Sequence, residues 1–201
     1  MNKVLRFISI AFLAALVACE SNLPVENVEQ PQQIVKEPAD TKTIPYDRLK
    51  VMDFGTKVLE KSTTVYQWIY KSFGGEIINQ HFGNDGLYVY NSLYIYPHSI
   101  PNSMWLGVQI NDSDFQGAVD VQYGPHGLVF SQPAVMNLFA AGLDLSNLDP
   151  NSVDIYYDNQ EEGYWEEMPC DAVIVDAAAG TIQVINARIP HFSRYAIGTE
   201  Y

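Results

Sequence analysis

The feature that most constrains the fold is a two-residue alternation of apolar and other side chains, recurring between turn signals. Met104, Leu106, Val108 and Ile110 alternate with Trp105, Gly107 and Gln109. Successive side chains of a strand point to opposite faces, so this is the pattern of a half-buried strand, not of a helix with its 3.6-residue period. Val119, Val121 and Tyr123 alternate in the same way with Ala118, Asp120 and Gln122, and 152–157 and 181–186 are rich in β-branched, aromatic and apolar residues. Between these runs lie Gly74-Gly75, Asn84-Asp85-Gly86, Gly124-Pro125, Asp149-Pro150-Asn151, Glu162-Gly163 and Ala179-Gly180. Each is a turn-forming combination. Many short strands with closely spaced turns predict an all-β domain, an antiparallel sandwich or barrel. Two patches with helical character, Ala134–Ala141 and Ala177–Ala179, are too short or too turn-like to change that class.

Composition excludes several functions. The chain has 201 residues, 11 Lys+Arg against 24 Asp+Glu, and a net charge of -13. Such a surface repels phosphate, so no nucleic-acid partner is expected. Aromatic residues make up 12%, too many for a wholly disordered chain.

The amino terminus sets the compartment. Lys3 and Arg6 precede an apolar stretch from Phe7 to Ala18, and Leu16-Val17-Ala18-Cys19 follows the signal-peptide layout with a cysteine at the cut. The run is short for a membrane span. The motif resembles the lipobox of bacterial lipoproteins, which implies cleavage before Cys19 and a thioether-linked diacylglycerol on its sulfur. Several acyl chains give stable anchoring, at about 0.8 kcal/mol per buried methylene. The expected partner is therefore a lipid bilayer, and the expected location is the bacterial cell envelope, facing the periplasm or the exterior. Cleavage removes Lys3 and Arg6 and leaves the mature chain still more acidic. Cys170 then has no cysteine to pair with inside the chain, and reads as a small residue beside a strand.

The organisation follows. Residues 1–18 read as signal peptide. Residues 19–45 read as a lipidated, disordered linker, acidic and punctuated by Pro24, Pro31, Pro38 and Pro45. Residues 46–71 form a lead-in; within it, Leu49, Met52, Val58 and Leu59 allow a short helix up to Ser62 that Gly55 weakens, or an extended segment. Residues 72–201 form the sandwich.

Within that last span, Gly74-Gly75-Glu76-Ile77, Leu93-Tyr94-Ile95-Tyr96-Pro97, 123–133 (Tyr-Gly-Pro-His-Gly-Leu-Val-Phe-Ser-Gln-Pro) and 191–196 (His-Phe-Ser-Arg-Tyr-Ala) occur in order. This series resembles the ZU-five domain, a β-sandwich module of zonula occludens proteins, uncoordinated-five receptors and ankyrins, over about residues 72–198. The chain departs from the family pattern at Tyr96-Pro97-His98-Ser99-Ile100-Pro101. The resemblance implies a scaffold or interaction domain and names no ligand.

Four groups of residues are candidates for function. In some ZU-five proteins the tripeptide His-Phe-Ser cuts itself. The resemblance would make Ser193 the nucleophile on the Phe192 carbonyl and His191 the general base, with Phe192–Ser193 as the scissile bond. The preferred reading is a structural corner, and the chain is not expected to be an enzyme. Tyr88, Tyr90, Tyr94 and Tyr96 all fall on even positions. On one unbroken strand they would share a face and, with Trp105, could hold a sugar or peptide. The preferred reading is that Asn91-Ser92 turns the chain and the tyrosines pack separately. The acidic residues Asp112, Asp114, Asp158, Glu161, Glu162, Glu166 and Glu167 read as solvated turns, because the calcium-loop spacing is missing. His81, His98, His126 and His191 lack the paired spacing of a zinc site. No metal and no cofactor are expected. The sequence thus predicts a tethered binding or structural module whose partner is a protein or a cell-wall glycan.

Overall fold

The computed structural model describes residues 32–35, 42–52, 63–83, 86–110 and 119–200. Fourteen strands run in the order β1 (Gln32–Val35), β2 (Thr43–Pro45), β3 (Leu49–Val51), β4 (Thr63–Ile69), β5 (Gly75–Phe82), β6 (Tyr88–Ile95), β7 (Met104–Ile110), β8 (Asp120–Gly124), β9 (Val129–Ala141), β10 (Val153–Asn159), β11 (Tyr164–Glu167), β12 (Ala172–Asp176), β13 (Thr181–His191) and β14 (Arg194–Glu200). They form two antiparallel sheets packed face to face. One has six strands in the order β1-β12-β13-β9-β6-β5. The other has eight elements: seven in the order β2-β11-β10-β14-β8-β7-β4, with β3 added on β14. The all-β sandwich is the observed fold. The described residues contain no α-helix.

Alternation determines what fills the space between the sheets. On β7, Leu106, Val108 and Ile110 are buried while Trp105 faces out, and its bounds match the run that the pattern marked. Ile77, Val89, Leu93, Ile95, Met136, Leu138, Ile155, Val184 and Ile197 complete one continuous core. A fully buried aliphatic side chain contributes about 1.5–3 kcal/mol, so this core dominates the fold's stability.

Two local readings are corrected, and the turn-like reading of Ala177–Ala179 holds. Ala134–Ala141 is not helical: it lies in the 13-residue strand β9, central in its sheet, with Ala134, Met136, Leu138 and Ala140 facing the core. The alanines suit a strand crowded on both flanks, and tertiary packing overrides their helix propensity. Ala177–Ala179 is a turn between β12 and β13, where Ala179 N–H donates to Asp176 Oδ1 (2.9 Å). Asn91-Ser92 is not a turn. β6 runs unbroken through it, with Asn79↔Asn91 and Ile78↔Ser92 paired across to β5.

The domain also begins earlier than residue 72. β1 and β2, inside the stretch read as linker, pair with β12 and β11. The lead-in supplies a 3₁₀ turn at Tyr46–Arg48 and then β3 and β4, so its extended alternative holds for those strands. Residues 53–62 lie outside the described residues. Proline-rich composition hid these strands. Yet Ile44 is fully buried against a small second cluster with Leu49, Tyr156, Trp165 and Ala196. This cluster sits outside the eight-stranded sheet, where residues 45–48 cross its outer face as a strap between β2 and β3.

Gly74 shows how tightly the β4–β5 corner is drawn. Its φ is +64°, and a Cβ there would lie 2.1 Å from the Ile95 carbonyl oxygen. Gly74→Ala should therefore destabilise the protein by about 2–3 kcal/mol, from left-handed strain plus a backbone clash. Urea denaturation should show a lower midpoint at unchanged slope; an unshifted midpoint would remove this account of the corner.

Candidate functional site

The predicted site residues fall into three regions. The first is the corner between β13 and β14. β13 belongs to the six-stranded sheet and β14 to the eight-stranded one, and only Phe192 and Ser193 separate them. Phe192 is fully buried, stacked on Tyr123 (5.4 Å) and edge-on to Phe130 (5.0 Å). Its carbonyl accepts from Gly127 N–H (2.9 Å), and its own N–H donates to the Leu128 carbonyl (2.7 Å). The Tyr195 hydroxyl donates to the His191 carbonyl (2.6 Å). Ser193 is buried, and the His191 ring packs edge-on against Tyr157 at 4.5 Å. His191 is held below the ordinary imidazole range, first by burial and then by repulsion from His126, against a hydrogen bond to the Phe192 backbone. Among the described residues no three His, Cys, Asp or Glu side chains are grouped to hold a metal.

The second region is the outer face of the six-stranded sheet. Because β6 is continuous, Tyr88, Tyr90 and Tyr94 share its outward face, and Tyr96 follows just past its end against Tyr94 (5.0 Å, edge-on). Phe82 lies over Tyr88 at 4.5 Å, and Phe139 lies 6.0 Å beyond.

The third region is the outer face of the eight-stranded sheet, and Trp105 lies here, 61% exposed. The tyrosine series and Trp105 therefore do not form one surface; they sit on opposite sides of the sandwich. Trp105 instead meets Trp68 across β4–β7 at 5.8 Å, Trp68 meets Tyr70 at 6.2 Å, and Tyr70 meets Phe73 at 6.2 Å, all edge-to-face. Tyr66, 69% exposed, lies down over Gly107, where a Cβ would come within 2.8 Å of its ring. The sequence reading missed Tyr66, Trp68, Tyr70 and Phe73. The signal was available: Tyr66, Trp68 and Tyr70 alternate with Val65, Gln67 and Ile69, the same even-position rule that picked out the β6 tyrosines.

Two cavities open on this third face. One, of about 430 Å³, lies beneath the strap and is lined by Tyr46, Leu49, Val51, Asp158, Gln160, Trp165 and Arg194. The other, of about 200 Å³, is lined in part by Thr64, Tyr66, Gly107, Gln109 and Gln122. Asp158 is not part of a solvated turn, as the sequence reading had it. It is buried at the end of β10, where its carboxylate accepts from the Tyr46 hydroxyl (2.6 Å) and from Gln160 Nε2 (3.1 Å). Burial, then the bond to Asp158, pushes the Tyr46 hydroxyl well above its usual range, so Tyr46 stays a donor. Arg194 is buried too, with Nε and Nη2 on Asp120 Oδ2 at 3.1 and 3.0 Å. Of the remaining acidic residues, Glu161 and Glu162 are exposed at the β10–β11 turn, and Asp112 and Asp114 lie outside the described residues. Cys170 is a buried thiol in the core, and Cys19 lies outside the described residues.

Comparisons with protein-family models, curated proteins and solved structures find no match.

The His191 shift gives a pH signature. The folded imidazole binds its proton more weakly than the unfolded one near 6.5, so its contribution to stability is present above that value and lost as pH falls. Between pH 7.5 and 5.5 the melting temperature should fall, and His191→Gln should flatten that slope. An unchanged slope in the variant would remove His191 as its source.

Proposed function

We propose that this chain is a lipid-anchored envelope protein of ZU-five type, whose acidic sandwich holds a partner against the outer face of the eight-stranded sheet. The observation that carries the binding role is the exposed ring cluster of Tyr66, Trp68, Tyr70, Phe73 and Trp105. Large apolar side chains left in water at one connected patch mark an interaction surface more often than scattered ones do. Aromatic residues also supply contact area with few torsions to freeze. The anchor rests on Leu16-Val17-Ala18-Cys19. No helix among the described residues is long and apolar enough to cross a membrane, and the anchor needs none. The acid-rich chain gains nothing from an anionic bilayer surface, so the acyl chains hold the protein there.

The test is sedimentation with washed envelope fragments containing cell wall and membrane. Full-length protein should remain bound after the lipid is dissolved with detergent, and Trp68→Ala/Trp105→Ala should lose most of that residual binding. Retention unaffected by the double change would sink the surface assignment.

Self-cleavage is the second reading, and one contact favours it. Gly127 N–H donates to the Phe192 carbonyl, the oxygen that would become negative during attack by Ser193. Intact mass of membrane-extracted protein reports acylation and cutting together. The preferred reading expects a single species beginning at acylated Cys19 and ending at Tyr201. A fragment ending at Phe192, absent from Ser193→Ala, would establish the cut.

A further inference from the structure

Strand register aligns six side chains into one row across the outer face of the eight-stranded sheet. Asp158 faces Trp165 on β11, Arg194 faces Gln122 on β8, Gln122 faces Gln109 on β7, and Gln109 faces Thr64 on β4. Tyr157↔Tyr195 and Tyr156↔Ala196 put Asp158 and Arg194 next in register on β10 and β14. The row crosses five strand spacings, roughly 24 Å at about 4.8 Å each. Each of its six members lines one of the two cavities. Arg194 of the first cavity and Gln122 of the second face each other across β14–β8, and an exposed tyrosine stands toward each end: Tyr46 in the strap and Tyr66 over Gly107.

We infer that this row is a binding cleft for a neutral linear oligosaccharide, an assignment that rests on the binding role proposed above for this face and names its substrate class. Three observations select that occupant. The first is charge. Asp120 and Asp158 outnumber Arg194, and the β8–β7–β4 half presents amides, hydroxyls and the His126 imidazole with no Lys or Arg, so no fixed surplus of positive charge awaits a uronate, phosphate or nucleic-acid chain. The second is the kind of polar group. The side-chain amides of Gln109, Gln122 and Gln160 both donate and accept, which suits ring hydroxyls that do the same. Tyr66 offers an open ring face to the C–H face of a sugar. The third is direction. A peptide that adds to a sheet runs along an edge and uses free main-chain groups. Five of the row's six strands are paired on both sides, and the row crosses them instead of following the edge of β4, so side chains form its surface. The glycines beside it, Gly107 and Gly124, keep the floor low next to Tyr66.

The test uses full-length protein in detergent micelles, titrated with cellohexaose, chitohexaose, the matching disaccharides and a hexagalacturonate, followed by tryptophan fluorescence and calorimetry. At least one neutral hexasaccharide should bind saturably. Its disaccharide, Tyr66→Ala and Gln109→Ala should each weaken binding about tenfold. Both substitutions are outside the core, and an unchanged melting temperature confirms that the fold is kept. Three results would overturn the cleft: no saturable binding of either neutral hexasaccharide, equal affinity for disaccharide and hexasaccharide, or preference for the hexagalacturonate. Envelope retention separates the two levels. If it still depends on Trp68 and Trp105 while no neutral glycan binds, the glycan cleft fails and the binding face stands. If retention ignores those residues, the binding face itself fails.

Discussion

The arrangement depends on one corner, where the chain leaves the six-stranded sheet at His191 and enters the eight-stranded sheet at Arg194. With only two residues between, there is no slack to absorb a slip. Phe192 fills the interior between Tyr123 and Phe130, and Tyr195 reaches back to the His191 carbonyl. Truncating such a buried phenylalanine typically costs about 3–5 kcal/mol, a large part of a domain's net stability. The corner also sets which way β14 faces. A one-residue shift would turn Tyr195 outward and Arg194 into the core. As built, Tyr195 and Ile197 are in the core, and Arg194 lies in the outer row opposite Gln122. The candidate cleft is thus a consequence of the packing of one phenylalanine.

Two buried asparagines add a second tie between the sheets. Asn79 Nδ2 donates to the carbonyls of Thr63 (2.7 Å) and Val108 (2.9 Å), joining β5 to β4 and β7. Asn91 Nδ2 donates to the Tyr123 hydroxyl (2.9 Å), joining β6 to β8. The two asparagines face each other in the ladder. Apolar side chains alone would let the sheets slide; directional bonds across the core fix one offset. Among the described residues neither Oδ1 has a hydrogen-bond partner, so the tie carries a desolvation cost of about 1–3 kcal/mol for each oxygen.

These asparagines also explain where the sequence misled. Asn91-Ser92 carries turn chemistry, and nothing local says that its amide is needed inside the sandwich. What was legible was β7 to its last residue and β8, from alternation with period two, and most of β10 and β13, from β-branched, aromatic and apolar runs. β9 was obscured because it is central, flanked on both sides and filled with alanine. β1 and β2 were obscured because short edge strands among prolines have almost no periodicity to read. For the candidate site the gap is of another kind. Thr64, Gln109, Gln122, Asp158, Trp165 and Arg194 are scattered over more than a hundred positions, and only pairing register puts them in line. Trp105 was visible as an outward aromatic, and Tyr66, Trp68 and Tyr70 carried the same alternation on their own strand, but that Trp68 and Trp105 are neighbours was not legible, because it is a cross-strand relation.

The strap supplies the last link. Charged groups on the outer face of a sheet would ordinarily be wet, yet Asp120, Asp158 and Arg194 are buried. Tyr46 and its neighbours cover that end of the face, with Ile44 and Leu49 packed on Tyr156 and Trp165. Removing water strengthens the Asp120–Arg194 attraction, but the desolvation of both ions offsets most of the gain, so the pair is poor evidence of added stability. Its effect is positional. It fixes the guanidinium on Asp120, while Tyr46 and Gln160 hold Asp158. A cleft lined by groups already fixed by one another loses little side-chain freedom when it fills, and preorganisation of this kind favours affinity more than contact area does. The segment that provides this cover is tied at both ends, by β2 on β11 and by β3 on β14, so strand pairing fixes that wall of the site.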